Sequence, residues 1–288
     1  MKFRILSLLL GLAVLWGCQS GPGSSTGSNL PSGYEYILHT NIADAKKAAP
    51  LDLAFFRYAM RNDQETVISN FGKGNAQIIP LPDGSTGRAL NPIEEALLLM
   101  GVGDSLTIIV PMDTIPVAER PKGFENADFL YYDLKLEELK SQADLESKVA
   151  EMETFVNGII DQYVAGTLEG VQSTDSGLKY VIHKEGTGEV PDSADFVYVD
   201  YYGALPSKVA FDNSYKRGTP FAFQLGMGRV IPGWDEGLAL LKTGSEATFF
   251  IPSDLGYGEA GSPPVIPGNS ELIFHVNLVN KLTPEPLQ

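Results

Sequence analysis

The sequence predicts an α+β fold built twice: in each copy a short helix packs on a mostly antiparallel sheet, and a long helix joins the copies. Three observations predict it. The stretch Asn91 to Asp113 echoes Pro232 to Asp254, with Gly103 and Gly244, Pro111 and Pro252, and Asp113 and Asp254 all 141 residues apart. Shorter echoes flank it in the same order, Ser32–His39 with Ser176–His183 and Leu130–Leu136 with Leu272–Leu278. Between the copies, Leu145, Val149, Met152, Val156, Ile159 and Tyr163 fall at intervals of 4, 3, 4, 3 and 4.

Residues 1–17 read as an export signal, with Lys2 and Arg4 ahead of the apolar run Ile5 to Trp16. That run is too short for a spanning helix. It ends at Leu15-Trp16-Gly17-Cys18, which resembles a bacterial lipobox although Trp16 is large for its position. Cys18 is the only cysteine, so it cannot staple the chain internally, and lipidation is its expected fate. A multiply acylated cysteine is a firm anchor, at about 0.8 kcal/mol per buried methylene. The residues from 18 to 32 are mostly Gly, Ser, Pro, Thr and Asn, a flexible tether.

The first copy is expected over 33–139 and the second over 173–288, each reading as strand, strand, short helix, glycine turn, strand, long loop, strand. The helices are expected at Glu94–Met100 and Asp235–Leu241, apolar on one side, with Gly103 and Gly244 in the turns that follow. Thr107–Val110 and Thr248–Ile251 are β-branched or aromatic runs that each stop at proline. The segment 140–172 is the joining helix. Its heptad seam leaves two readings open: pairing with its copy in a homodimer through 145–163, or packing against its own two domains.

Formal charge is −15, and −17 once Lys2 and Arg4 leave with the signal. So acidic a surface argues against nucleic acid and against electrostatic attachment to a membrane. His39, His183 and His275 have no second His or Cys at ligand spacing, so no metal is expected. Gly101-Val-Gly103 and Gly226-Met-Gly228 lack the third glycine of a dinucleotide fingerprint and are rejected.

The second copy is dense in aromatics, several of them beside polar or turn residues: Phe211 next to Asp212, Trp234 after Pro232-Gly233, Tyr257 between two glycines. Such edges can line an apolar cleft with a few polar tips. Val199–Gly203, Ala210–Ser214, Pro220–Phe223, Val230–Gly237, Leu255–Gly258, Val265–Pro267 and Glu271–Phe274 together resemble the ordered signatures of the FKBP-type prolyl isomerases.

The resemblance implies two FKBP-like domains, each a half-wrapped antiparallel sheet around a short helix, with the catalytic pocket in the second. It implies Trp234 as the floor and Tyr201, Phe211, Phe221, Val230, Ile231, Ile266 and Phe274 as walls. It further implies Asp212 as a buried carboxylate held by Tyr201 and Arg217, with the Ile231 N–H and the Tyr257 hydroxyl gripping peptide carbonyls. Ser262-Pro263-Pro264 departs from the His-Pro-Gly of some relatives, which bears on selectivity.

The implied activity is prolyl cis–trans isomerisation of folding polypeptides in the cell envelope, without a cofactor. Macrolide-type ligands are implied as well, and an outer-membrane anchorage facing the periplasm. A non-catalytic peptide-binding chaperone is the alternative use of the same pocket. The first copy is expected to be degenerate and kept for packing, docking or substrate capture. Ile93 stands at the Trp234 position, Met112 at that of Ser253, and no Phe-Asp pair matches Phe211-Asp212.

Overall fold

The computed structural model describes residues 28–71, 76–85 and 87–284. The leader and Cys18 lie outside them. Among the described residues, two seven-stranded antiparallel sheets and three α-helices form an α+β architecture. Among the described residues no helix is long and apolar enough to cross a membrane.

The first sheet is made of β1 (Ser28–Asn29), β2 (Glu35–Thr40), β3 (Leu53–Arg61), β4 (Thr66–Ser69), β5 (Gln77–Pro80), β6 (Ser105–Pro111) and β7 (Phe129–Lys140), with α1 (Pro92–Leu99) packed on it. After α2 (Gln142–Val164), the second sheet follows with β8 (Gln172–Ser173), β9 (Lys179–Lys184), β10 (Phe196–Ala204), β11 (Ala210–Asn213), β12 (Phe221–Gln224), β13 (Glu246–Ile251) and β14 (Leu272–Leu282). Between β12 and β13 lies α3 (Pro232–Leu238).

The duplication extends to the register. The first sheet runs β1-β2-β6-β7-β3-β4 with β5 also on β3; the second runs β8-β9-β13-β14-β10-β11 with β12 also on β10. The pairing of β3 with β7 slips between Phe55 and Phe56, and that of β10 with β14 slips between Tyr198 and Val199, the same place in each. His39 and His183 are the unpaired residues of matching bulges, and each hydrogen-bonds the next strand's threonine, Thr107 at 2.7 Å and Thr248 at 2.8 Å. A bulge leaves one residue out of the ladder and re-aims its side chain.

Alternation along the strands sorts the second sheet into two covered faces. Val197, Val199, Tyr201, Phe249 and Phe274 pack on one side with Trp234 of α3. Tyr202, Ala204, Phe250 and Ile273 pack on the other with Met152, Val156, Ile159 and Ile160 of α2. Each fully buried side chain of that size contributes about 1.5–3 kcal/mol. Tyr163 completes the contact by stacking on Phe250 at 3.8 Å and donating to Glu271 at 2.8 Å. Of the two readings of the heptad seam, the helix therefore adopts packing within its own chain. Of the seam residues, Met152, Val156 and Ile159 are buried against the second sheet with Val149 and Tyr163 beside them, while Leu145 lies against Gly218. The first sheet keeps a polar outer face, with Arg61 bound to Asp133 at 2.8 Å and Asp133 accepting from Thr107 at 2.6 Å.

Candidate functional site

On the α3 side of the second sheet lies a cavity of about 440 Å³. Trp234, only 4% exposed, forms its floor. The β10 alternation turns Tyr201 toward it, and the pairing of Val199 with Phe221 brings the β12 aromatics alongside. Tyr201 and Phe274 stand edge-on to the indole, with centroids at 5.0 Å and 84° and at 5.1 Å and 85°. Phe221 meets it at 6.3 Å, and Phe211 meets Phe274 at 5.2 Å. Edge-to-face pairs of this kind add about 0.5–1.5 kcal/mol beyond area burial and hold the rings in place. Gly203 makes the last contact possible. A Cβ there would stand 2.6 Å from Phe211 and 2.8 Å from Phe274, so any side chain would push the two rings apart.

The polar groups gather at one rim. Tyr201 donates to Asp212 through its hydroxyl, Arg217 donates to Asp212 at 3.2 Å and to the Tyr201 hydroxyl at 2.8 Å, and the Asn213 N–H donates to Asp212 at 2.8 Å. Burial, together with the Asp212 carboxylate, pushes the Tyr201 phenol up to about 12, so it stays a donor throughout the physiological range. Asp212 differs from the buried carboxylate that the family pattern implies. It lies on β11 at the open mouth, with its side chain 52% exposed, because the edge strand has no further layer over it.

Across the mouth, α3 begins at Ile231 with no side-chain cap, whereas α1 is capped by Asn91. The Ile231 N–H and the Tyr257 hydroxyl have no hydrogen-bond partner among the described residues, and both residues line the cavity. The Trp234 indole N–H is likewise buried without one. Asp235 holds the preceding loop by accepting from Gly226 at 2.8 Å and Gly228 at 3.2 Å, which sets the approach of Val230 and Ile231.

Of the residues expected at the site, Tyr201, Phe211, Asp212, Phe221, Val230, Ile231, Trp234, Tyr257 and Phe274 all line this one cavity, as does Arg217. Ile266 does not. It is 5% exposed in the core next to these residues, held by a two-bond bridge with Ser262 at 2.8 and 3.0 Å. Arg229 also lines the cavity and was not foreseen; an exposed arginine in a loop carries no spacing signal, and only its place just before Val230 hints at the role.

The family described as FKBP-type peptidyl-prolyl cis-trans isomerase matches residues 188–279. FkpA of Escherichia coli strain K12, described as an FKBP-type peptidyl-prolyl cis-trans isomerase, is 32% identical over 245 residues, spanning 84% of this chain and 85% of its own. The Aeromonas hydrophila protein of the same description is 44% identical over 151 residues, 51% of this chain and about half (53%) of its own. FK506-binding protein 1 of Dictyostelium discoideum is 46% identical over 103 residues, 36% of this chain and 96% of its own. The crystal structure of E. coli FkpA aligns with a TM-score of 0.39 and 40% identity, over 49% of this chain and 63% of that one. With the E. coli relative matched along most of both lengths, the chain belongs to the FKBP-type peptidyl-prolyl cis-trans isomerases.

Proposed function

We propose that the second copy, residues 173–288, rotates X–Pro bonds of folding polypeptides in the Trp234 cavity. The observation that carries this reading is the aromatic cage, floored by the buried Trp234 and lined at its mouth by two donors without partners among the described residues. A planar amide is held by resonance behind a barrier of about 18–20 kcal/mol, and only X–Pro bonds populate cis appreciably. The planar form is more dipolar than the twisted one. Moving it from water into the cage removes solvation that favours planarity, and a cage shaped to the twisted form binds the transition state better than the ground state.

In this mechanism the indole of Trp234 carries the proline ring. The Ile231 N–H and the Tyr257 hydroxyl hold the flanking carbonyls, while Tyr201 and Arg217 keep Asp212 fixed at the rim. No bond breaks and no proton transfers. The test is isomerisation of a prolyl tetrapeptide by the full chain and by Trp234→Leu and Tyr257→Phe. Each is expected to lower kcat/KM by about tenfold, and unchanged rates in both would remove the site.

The same reading takes 33–139 as a degenerate FKBP-like copy and 140–172 as the connector. It places the chain in the cell envelope, lipid-anchored at Cys18, in the outer membrane facing the periplasm. The lipobox-like Leu15–Cys18 supports the anchor, and Gln19-Ser20 after the cysteine carries no inner-membrane retention signal. Cys18→Ser is expected to move the chain from the membrane to the soluble fraction.

A further inference from the structure

The first sheet keeps a cavity where the second has its site. The shared register sets residues of the two copies opposite one another. Tyr58 pairs with Leu134 as Tyr201 pairs with Val276, and Met60 pairs with Tyr132 as Gly203 pairs with Phe274. Tyr58 thus stands at the Tyr201 position, Tyr132 at that of Phe274 and Met60 at that of Gly203. On the short flanking strands, Ile79 stands for Phe223 and Ile68 for Asp212. The 141-residue interval sets Ile93 opposite Trp234.

Phe56, Tyr58, Met60, Ile79, Ile93 and Tyr132, together with the uncharged polar Gln77 and Asn91, surround a space of about 280 Å³. It is smaller than the cavity of the second copy, and Met60 stands where Gly203 does there. No charged side chain lines it, and neither a carboxylate nor an arginine replaces Asp212 and Arg217. The hydroxyls of Tyr58 and Tyr132 have no hydrogen-bond partner among the described residues, and burial beside Tyr58 raises the Tyr132 phenol, so it remains a donor.

We propose that this cavity is a second, non-catalytic binding site for the bulky apolar side chain of an extended, unfolded polypeptide segment. The class of occupant is taken from the isomerase reading of the matching cavity. An aliphatic floor and wall replace the indole cage, so the site selects an apolar side chain without requiring proline. The two phenols donate to the carbonyls beside that side chain. An unlined charge would be left unpaired there, which excludes acidic and basic side chains. Two sites on one chain also raise the local concentration of a held segment near the catalytic cavity.

The experiment is methyl NMR of the full chain with labelled Met and Ile. Met60, Ile79 and Ile93 report on the first cavity and Ile231 on the second. A blocked peptide of sequence Ala-Ala-Leu-Ala-Ala is expected to shift Met60, Ile79 and Ile93 saturably, and the double variant Tyr58→Phe, Tyr132→Phe to weaken that binding about tenfold while preserving the fold. A peptide with Pro after Leu is expected to shift Ile231 as well. Ile231 responding while the first-cavity methyls stay still, or shift without saturating, overturns the second site and leaves the isomerase reading intact. First-cavity shifts with Ile231 silent to the prolyl peptide remove the isomerase reading instead.

Discussion

Lys140, the last residue of the first sheet, donates to the carbonyl of Gly218 in the second copy at 3.0 Å. Gly218 directly follows Arg217, the residue that holds Asp212 and Tyr201. It is left-handed (φ 67°) and seated so closely that a Cβ would lie 2.5 Å from Leu53 of β3 and 2.9 Å from Leu145 of α2. The first copy and the joining helix therefore brace the turn that presents Arg217 to the rim of the Trp234 cavity. Lys140 is expected to act as a positioning residue. Lys140→Met is expected to lower kcat on a prolyl peptide by about two- to tenfold with little change in KM or melting temperature, and Lys140→Arg to restore it. A melting shift without a kcat change would make the contact merely structural.

Tyr201 and Asp212 act through one hydrogen bond, so their substitutions should not add. Tyr201→Phe and Asp212→Asn are each expected to slow isomerisation, and the double variant to cost less than the two together, by a coupling of about 0.5–3 kcal/mol. A protease-free assay on a prolyl peptide measures all four proteins. Strict additivity would mean the two residues work apart.

The histidines under α2 predict a dependence on pH. His275 is 3% exposed, and burial, then His183 and Lys148, hold it down to about 3; burial also lowers His183. Phe155 of α2 lies edge-on to both rings, at 4.9 and 5.6 Å, and Thr248 lies between them. In the unfolded chain both would titrate near 6.5. Below that pH the unfolded state binds protons the folded state refuses, so stability is full above about 6.5 and falls as pH drops toward the lowered folded values. Urea midpoints of the full chain between pH 7 and 4 are expected to fall steadily, and to fall less steeply in His275→Gln. Equal slopes would remove the histidines as the cause.

The cap of α1 predicts a cost that α3 cannot show. Asn91 accepts from the N–H groups of Ile93 and Glu94, both at 3.0 Å, and Glu94 returns a bond to the Asn91 N–H at 2.9 Å. Asn91→Ala is expected to cost about 1 kcal/mol of first-copy stability by urea unfolding, with isomerisation unchanged.

Much of this was legible in the residues. The 141-residue interval announced two copies of one fold, because equal spacing of strand, turn and proline leaves few ways to pair the strands. The resemblance to the FKBP-type isomerases carried by the blocks around Asp212 and Trp234 implied nine residues that meet in one cavity. Side-chain polarity and strand period act locally, and local rules can be read along a line.

What the tertiary structure alone decided is what lies against each face. The spacing of Leu145 to Tyr163 demanded a partner for one side of a helix without saying which; the apolar outer face of β10, β13 and β14 took that place. Nothing in a sequence states that Lys140 ends beside Gly218, that Ile266 turns into the core, that Asp212 sits at an uncovered edge, or that Arg229 reaches the mouth. Each depends on surfaces distant in the chain being brought together, and burial is settled only when the opposing surface is in place.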